Sequence, residues 1–128
     1  MKIGEIMRLI IAGGRHNHLT GKDILELKKI KNVTCVISGG ADGIDTDGET
    51  WAKNQNIKIR RFNADWSKHG KLAGPLRNRQ MAENADALAL FAGGRGTESM
   101  LKEAKKAGIK IFDFRPNAQL NLNFDGDI

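Results

Sequence analysis

Apolar residues are concentrated in five short runs, which recur along most of the chain and are rich in β-branched residues or phenylalanine. Most of these runs are almost continuously apolar, which is typical of strands that are covered on both faces of a sheet. The third run alternates, with Ile57, Ile59 and Phe62, and this pattern predicts a strand nearer the edge. The predicted strands are Met7–Ala12, Val33–Ser38, Ile57–Phe62, Ala87–Phe91 and Ile109–Phe114.

The segments between the first three runs have helical spacing. A first helix can begin at Thr20 or Asp23, both of which are suited to the N-cap position. A second helix is predicted from about Asp45 to Gln55 and includes Trp51. The predicted apolar face of the first helix consists of Ile24, Leu25, Leu27 and Ile30.

Two further helices are predicted in the second half of the chain. Pro75 suits the first turn of the third helix, which runs to about Asn84. Thr97 is predicted to cap the fourth helix, and Gly108 is predicted to end it. The residues of the fourth helix that are expected to face inward are Met100, Leu101 and Ala104.

The alternation of strands and helices predicts an α/β fold with one domain. We expect a Rossmann-like three-layer sandwich, in which a mainly parallel five-stranded sheet carries helices on both faces. The domain is predicted to cover residues 1–115, and residues 116–128 are predicted to form a polar, Asn-rich tail that is loosely held.

Ten of the 15 glycines follow predicted strands. Because the carboxyl ends of parallel strands meet at one edge of a sheet, we expect these glycine loops to converge on a ligand crevice. Glycine lets backbone N–H groups approach a phosphate, and the helix that begins at Thr97 adds the positive end of its dipole. The segment GGRGT at 93–97 is therefore predicted to hold a phosphate, although each glycine pair can also simply permit a tight turn.

Several side chains near these loops have two interpretations each. Arg15 can clamp a phosphate or remain solvated, and Asp45 can bond a ribose hydroxyl or cap the second helix. Trp66 can stack on a base or pack as a lid on the sheet edge, and His69 can contact the ligand or be structural. Cations near the start of the third helix, such as Arg77, oppose the helix dipole, and a bound anion would explain them. The predicted ligand-binding residues are Gly13, Gly14, Arg15, Ser38, Gly39, Gly40, Asp45, Trp66, His69, Gly74, Arg77, Asn78, Gly93, Gly94, Arg95, Gly96 and Thr97.

The net charge of +6 is confined to one segment. Residues 58–81 hold seven basic residues against Asp65 alone, and the rest of the chain is balanced. A local excess of this kind favours the lining of a site for a small anion over a surface for nucleic acid. Nucleic acid is therefore an unfavoured partner.

Composition excludes further classes of function. No apolar run approaches the roughly 18 residues of a membrane span, and the N-terminal segment is a poor match to a signal peptide. The single cysteine, Cys35, excludes an internal disulfide, and three scattered histidines form no metal-ligand spacing. We therefore expect a cytoplasmic protein with no membrane contact, no metal and no cofactor.

Five motifs resemble the YspA-type, cpYpsA-related branch of the SLOG superfamily. They are GGR at 13–15, SGGADGID at 38–45, WA at 51–52, ADWSKHGKLAGPLRNRQM at 64–81 and GGRGTESM at 93–100. The resemblance extends from about residue 7 to residue 114, and it implies a Rossmann-like fold that binds a nucleotide or a nucleotide derivative. Superfamily relatives commonly pair, so the resemblance leaves a homo-oligomer open without fixing the oligomeric state.

The chain is also distantly similar to the lonely-guy phosphoribohydrolases, with departures that matter for catalysis. Arg77 corresponds to the arginine of their Arg-Lys pair, but Asn78 replaces the lysine. Met100 occupies the position of their catalytic glutamate, and Glu98 would point about 200° away from that position on a helix. Asp42 stands where relatives of the YspA-type branch often have arginine.

Three functions are consistent with the sequence. In the leading hypothesis the chain binds a nucleotide-like ligand, for instance as a sensor. GGRGT and Arg77 would hold the phosphate, 38–40 and Asp45 the sugar, and Trp66 or His69 the base. The alternative is a nucleotide hydrolase with Arg77 and Glu98 as catalytic residues. The third is nucleic-acid binding, as in the distantly related DNA-processing protein A.

Overall fold

The computed structural model describes residues 6–116, and these residues form five strands and five α-helices. The predicted tail lies outside the described residues except for Pro116, as do residues 1–5 of the predicted domain. The strands are β1 (Met7–Ala12), β2 (Val33–Ser38), β3 (Lys58–Arg61), β4 (Ala87–Leu90) and β5 (Lys110–Asp113). The helices are α1 (Gly21–Lys28), α2 (Ile44–Asn54), α3 (Trp66–His69), α4 (Ala73–Glu83) and α5 (Arg95–Ala107), and a 3₁₀ turn covers Gly70–Leu72.

The strands form one sheet in the order β3-β2-β1-β4-β5, and each neighbouring pair is parallel. The alternating third run forms the edge strand β3, as its pattern predicts. Each strand boundary lies within one residue of its prediction. The α/β sandwich with a parallel five-stranded sheet is therefore confirmed.

Alternation along the strands sends side chains to both faces of the sheet, and each face has its own core. Helices α4 and α5 cover one face, and α1 and α2 cover the other. The first core includes Ile10, Ile37, Met81, Leu88 and Met100. The second core includes Leu9, Ile11, Leu27, Val36 and Trp51. Both faces are buried, which explains why the central strands are almost continuously apolar.

Two local predictions were wrong. Leu25 is 60% exposed, because it lies two positions from the buried Leu27 and therefore about 200° away around the helix. Thr97 does not cap α5: Gly94 is the N-cap, and Thr97 lies inside the first turn, where it is 4% exposed. The hydroxyl of Thr97 covers Gly93 so closely that a side chain at Gly93 would collide with it.

The segment between β3 and α4 contains an element that the sequence analysis did not predict. Asp65 caps the four-residue helix α3, and its carboxylate accepts hydrogen bonds from the Lys68 N–H (3.1 Å) and the Ser67 hydroxyl (2.7 Å). Among residues 6–116, no helix has the length and apolar character needed to cross a membrane.

Candidate functional site

The loops that follow β1, β2 and β4 surround a cavity of about 490 Å³ at the carboxyl edge of the sheet. We call it the first cavity. Eleven of the predicted ligand-binding residues line it: Gly13, Gly14, Arg15, Gly39, Asp45, Arg77, Asn78, Gly94, Arg95, Gly96 and Thr97. Six further lining residues were not predicted: Ala12, His16, Asn17, Ala41, Met81 and Met100. Ala12, Met81 and Met100 give this cavity an apolar wall that extends the core beneath it.

A second cavity of about 340 Å³ lies beside the first. The two cavities share Arg15, Gly39, Ala41 and Arg77. The residues that line only the second cavity are Gly40, Asp42, Asn63, Ala64 and Trp66. Two arginines therefore lie at the boundary between the two spaces.

Close backbone contacts hold the three loops together. The Gly14 N–H donates to the Ala92 carbonyl at 2.8 Å, and a side chain at Gly14 would lie 3.0 Å from the Cα of Gly93. Gly43 has a φ of +74°, and a side chain there would collide with the Gly14 carbonyl. Glycine is required at Gly43, because a Cβ atom there would meet the backbone of Gly14 and Arg15 and the φ is positive.

The guanidinium of Arg77 is fixed at the boundary between the cavities. Its Nη1 donates to the Gly39 carbonyl at 2.7 Å and to the Phe62 carbonyl at 3.5 Å, and its Nε donates to the Asn78 Oδ1 at 2.9 Å. The Nη2 group has no hydrogen-bond partner among residues 6–116. Burial lowers the pKa of Arg77, with the negative charge of Asp45 acting in the opposite direction. The fold thus holds the Arg77 guanidinium in place and leaves its Nη2 group available to donate hydrogen bonds.

Asn78 connects Arg77 to the glycine loop. It is 5% exposed, and its Nδ2 donates to the Ser99 hydroxyl at 3.1 Å and to the Gly96 carbonyl at 3.4 Å. Since its Oδ1 accepts from Arg77, the amide bridges α4 and the first turn of α5. Asn78 therefore positions Arg77 relative to the backbone that the sequence predicts to hold a phosphate.

Asp45 is the buried carboxylate of the first cavity, with 7% exposure. Burial raises its pKa to about 6, and the Ala41 N–H, which donates at 3.3 Å, and the nearby Arg77 only partly oppose this effect. A side chain at Gly39 would lie 2.9 Å from both the Asp45 Oδ2 and the Arg77 Nη1. The cavity thus combines a fixed cation with a carboxyl group whose pKa is raised by burial.

Ser38 lies beneath the loop that follows β2 and lines neither cavity. The Ser38 side chain is 1% exposed, and its hydroxyl donates to the Glu49 carboxylate at 2.6 Å while accepting from the Gly40 N–H at 3.0 Å. Arg61 forms an ion pair with Glu49 and lowers the pKa of that carboxylate. Ser38 therefore supports the loop from below. Glu49 was not among the predicted residues, although its position one turn after Asp45 on the buried side of α2 is a usable signal.

Other predicted residues also lie outside the two cavities. His69 is exposed and lines neither cavity. Gly74 lies under the Trp66 ring, and Gly93 packs against Gly14. The Glu98 side chain is 65% exposed and pairs at 2.8 Å with Arg115, which is itself bound to Asp113. Within the described range 6–116, no group of three or more His, Cys, Asp and Glu residues is arranged to hold a metal ion.

The chain is similar to known proteins in sequence and in fold. A family model described as the YspA, cpYpsA-related SLOG family matches residues 7–69. The chain is 37% identical to the Gene 61 protein of Mycobacterium phage D29, over 84% of this chain and 95% of that protein. Its fold is similar to DNA processing protein A from Streptococcus pneumoniae, with a TM-score of 0.62 and 15% identity over 84% of this chain. The chain spans about half (50%) of that structure.

Proposed function

Because the chain belongs to the YspA, cpYpsA-related SLOG family, we propose that it binds a nucleotide or a nucleotide-derived small ligand. The observation that carries this proposal is the fixed guanidinium of Arg77, which faces the first cavity opposite the glycine loop. The volume of that cavity, about 490 Å³, lies in the range of roughly 300–1,000 Å³ that is usual for small-molecule sites.

The phosphate binds between Arg77 and the first turn of α5. The first backbone N–H groups of a helix have no intrahelical acceptor, and the helix dipole adds a partial positive charge there. The first cavity is lined at this helix start by Gly94, Arg95 and Gly96. Asp45, in the first turn of α2, is positioned to accept a hydrogen bond from a sugar hydroxyl.

A charge reversal at the glycine loop tests the phosphate site. Gly94 has open space where a side chain would project, so Gly94→Asp is expected to fold. Its carboxylate would repel a phosphate from the first cavity. Gly21→Asp is the matched control, because Gly21 also lies at a helix start with open space around it and lines neither cavity.

The readout is the thermal shift produced by a panel of nucleoside mono-, di- and triphosphates. At a ligand concentration 100 times Kd, binding stabilises the folded state by about 2.7 kcal/mol. We expect the wild-type protein and Gly21→Asp to be stabilised and Gly94→Asp to lose the shift. Equal shifts in the two variants, or no shift of the wild-type protein by any nucleotide, would contradict the proposal.

The hydrolase alternative gains no support from the geometry. Glu98 is paired with Arg115 outside both cavities, and Met100 presents an apolar side chain to the first cavity. We therefore propose a binding function for this site and no reaction.

A further inference from the structure

Several polar side chains that line the second cavity have no internal partner. They are Arg15, Asp42 and Asn63. Within residues 6–116, none of them makes a side-chain hydrogen bond or an ion pair. Polar groups that converge on a cavity without internal partners are available to a ligand.

An aromatic surface completes the second cavity. The Trp66 side chain lines it and is 58% exposed, although tryptophan is usually well buried. Its ring lies against α4, since a side chain at Gly74 would be only 3.3 Å from the Trp66 Cη2. The indole is therefore supported on one side by the fold and open on another. This arrangement suits the stacking of a planar ring.

The polar groups that line the second cavity together with the indole favour one kind of ring. A carboxylate such as Asp42 only accepts hydrogen bonds when ionised, so its partner on the ligand must be a donor. Asn63 lies close to the same loop, since a side chain at Gly40 would be 3.1 Å from the Asn63 Oδ1. An amide can both donate and accept, which matches the alternating groups on the edge of a nucleobase.

The charged side chains at the boundary between the cavities indicate that such a ring is connected to a phosphate. Arg15 and Arg77 line both cavities, so a phosphate between them would be adjacent to the glycine loop and to the space above Trp66. Resting on the proposed function, we propose that the second cavity is a subsite for an amino-substituted nucleobase, stacked on Trp66 and recognised by Asp42. The ligand is then a nucleotide whose sugar and first phosphate lie at this boundary, near Arg77 and Asp45, and whose further phosphate lies in the first cavity.

Calorimetric titration with ADP, IDP and inorganic diphosphate tests the subsite. In IDP the 6-amino donor of the base becomes a keto acceptor, which would face the Asp42 carboxylate, and N1 gains a hydrogen. We expect the wild-type protein to bind ADP about tenfold more tightly than IDP, as one hydrogen bond to a charged group implies. Asp42→Asn should reduce this preference, because an amide can donate to the keto oxygen.

Replacement of the stacking surface provides a second measurement. Trp66→Ala should weaken ADP binding about tenfold or more, as expected for the loss of base stacking. The same variant should bind inorganic diphosphate as the wild-type protein does. Leu72→Ala is the control, since Leu72 is 65% exposed on the neighbouring turn and lines neither cavity. It should leave ADP affinity unchanged.

The outcomes separate the two proposals. The subsite is overturned if Trp66→Ala binds ADP with wild-type affinity, or if the wild-type protein binds ADP and IDP equally. If inorganic diphosphate binds in either of those cases, and Gly94→Asp abolishes its binding, the phosphate site survives. If ADP and inorganic diphosphate both fail to bind the wild-type protein, the subsite and the proposed function fail together.

Discussion

Two carboxylates lie one turn apart on α2 and are equally buried, but their electrostatic environments are opposite. Asp45 is 7% exposed and Glu49 is 6% exposed. The pKa of Asp45 is raised to about 6 by burial, whereas the pKa of Glu49 is lowered by its hydrogen bonds to Arg61 and Ser38. Burial alone therefore does not decide the protonation state of a carboxylate at this end of the helix.

Desolvation dominates at Asp45, whereas the donors to Glu49 outweigh its desolvation. Arg61 donates to Glu49 from both Nε and Nη2, and the Ser38 hydroxyl donates as well. Asp45 accepts the longer bond from the Ala41 N–H and a smaller contribution from the Gly13 backbone, while Arg77 directs its donors to carbonyl and amide oxygens. A buried carboxylate whose oxygens all accept hydrogen bonds from the protein stabilises the fold. A carboxylate beside a cavity that accepts fewer hydrogen bonds is a candidate for contact with a ligand.

The largest effect is expected when Asp45 is replaced by asparagine. A raised folded-state pKa stabilises the protein below the unfolded value of 3.8, and this contribution is lost as the pH rises through about 6. A shift of about two units corresponds to about 3 kcal/mol. Asp45→Asn cannot lose this contribution, so it should become more stable than the wild-type protein between pH 4 and 6, with a plateau above pH 6.

Urea unfolding of both proteins at pH 4, 5, 6 and 7.5 measures this difference. Glu49 is present in both proteins and titrates in the opposite direction. Its lowered pKa contributes stability that is lost as the pH falls below its ordinary value of 4.5. A difference between the proteins that stays constant with pH would contradict the assignment of a raised pKa to Asp45.

A smaller effect is expected from Arg61→Ala. The variant leaves the Glu49 carboxylate buried with Ser38 as its remaining side-chain donor. Because the Arg61 side chain is 53% exposed, water can reach the site and partly replace the lost donors. We therefore expect a loss in the free energy of unfolding at pH 7 that is smaller than the effect at Asp45.

Lys58→Ala is the control for this strand, because Lys58 is an exposed cation of β3 outside the network. It should change the free energy of unfolding by no more than about 0.5 kcal/mol. Equal stability of the Arg61→Ala and Lys58→Ala proteins would show that the ion pair with Glu49 contributes nothing beyond surface charge.

The fold was largely predictable because its signals are local. Apolar runs located the strands, and the alternation of Ile57, Ile59 and Phe62 identified the edge strand. Local sequence rules failed where tertiary contacts or backbone geometry determine the exposure or the position of a residue. Leu25 is apolar yet faces solvent, and Thr97 is a good capping residue yet lies inside a helix that begins at Arg95.

The glycine loops of the site were predictable for the same reason, but its ion pairs were not. Glu49 and Arg61 come from different elements, α2 and β3, and their contact depends on the packing of that helix against the sheet. Glu98 likewise meets Arg115, which follows β5. Each arginine lies on a different element of the chain from its carboxylate, so residue spacing within one element could not predict either ion pair.

The smallest effect, from Ser38→Ala, gives the sharpest test of whether Ser38 supports the loop or contacts the ligand. The sequence suggests that Ser38 contacts the sugar of the ligand, whereas its hydroxyl is buried between Glu49 and the Gly40 N–H. We expect a loss of about 1 kcal/mol in unfolding free energy, the usual value of one hydrogen bond. Nucleotide affinity should stay unchanged, as it should in the control Ser67→Ala. A loss of affinity without a loss of stability would instead assign Ser38 to the ligand, and Glu49 would then belong to the site together with Asp45.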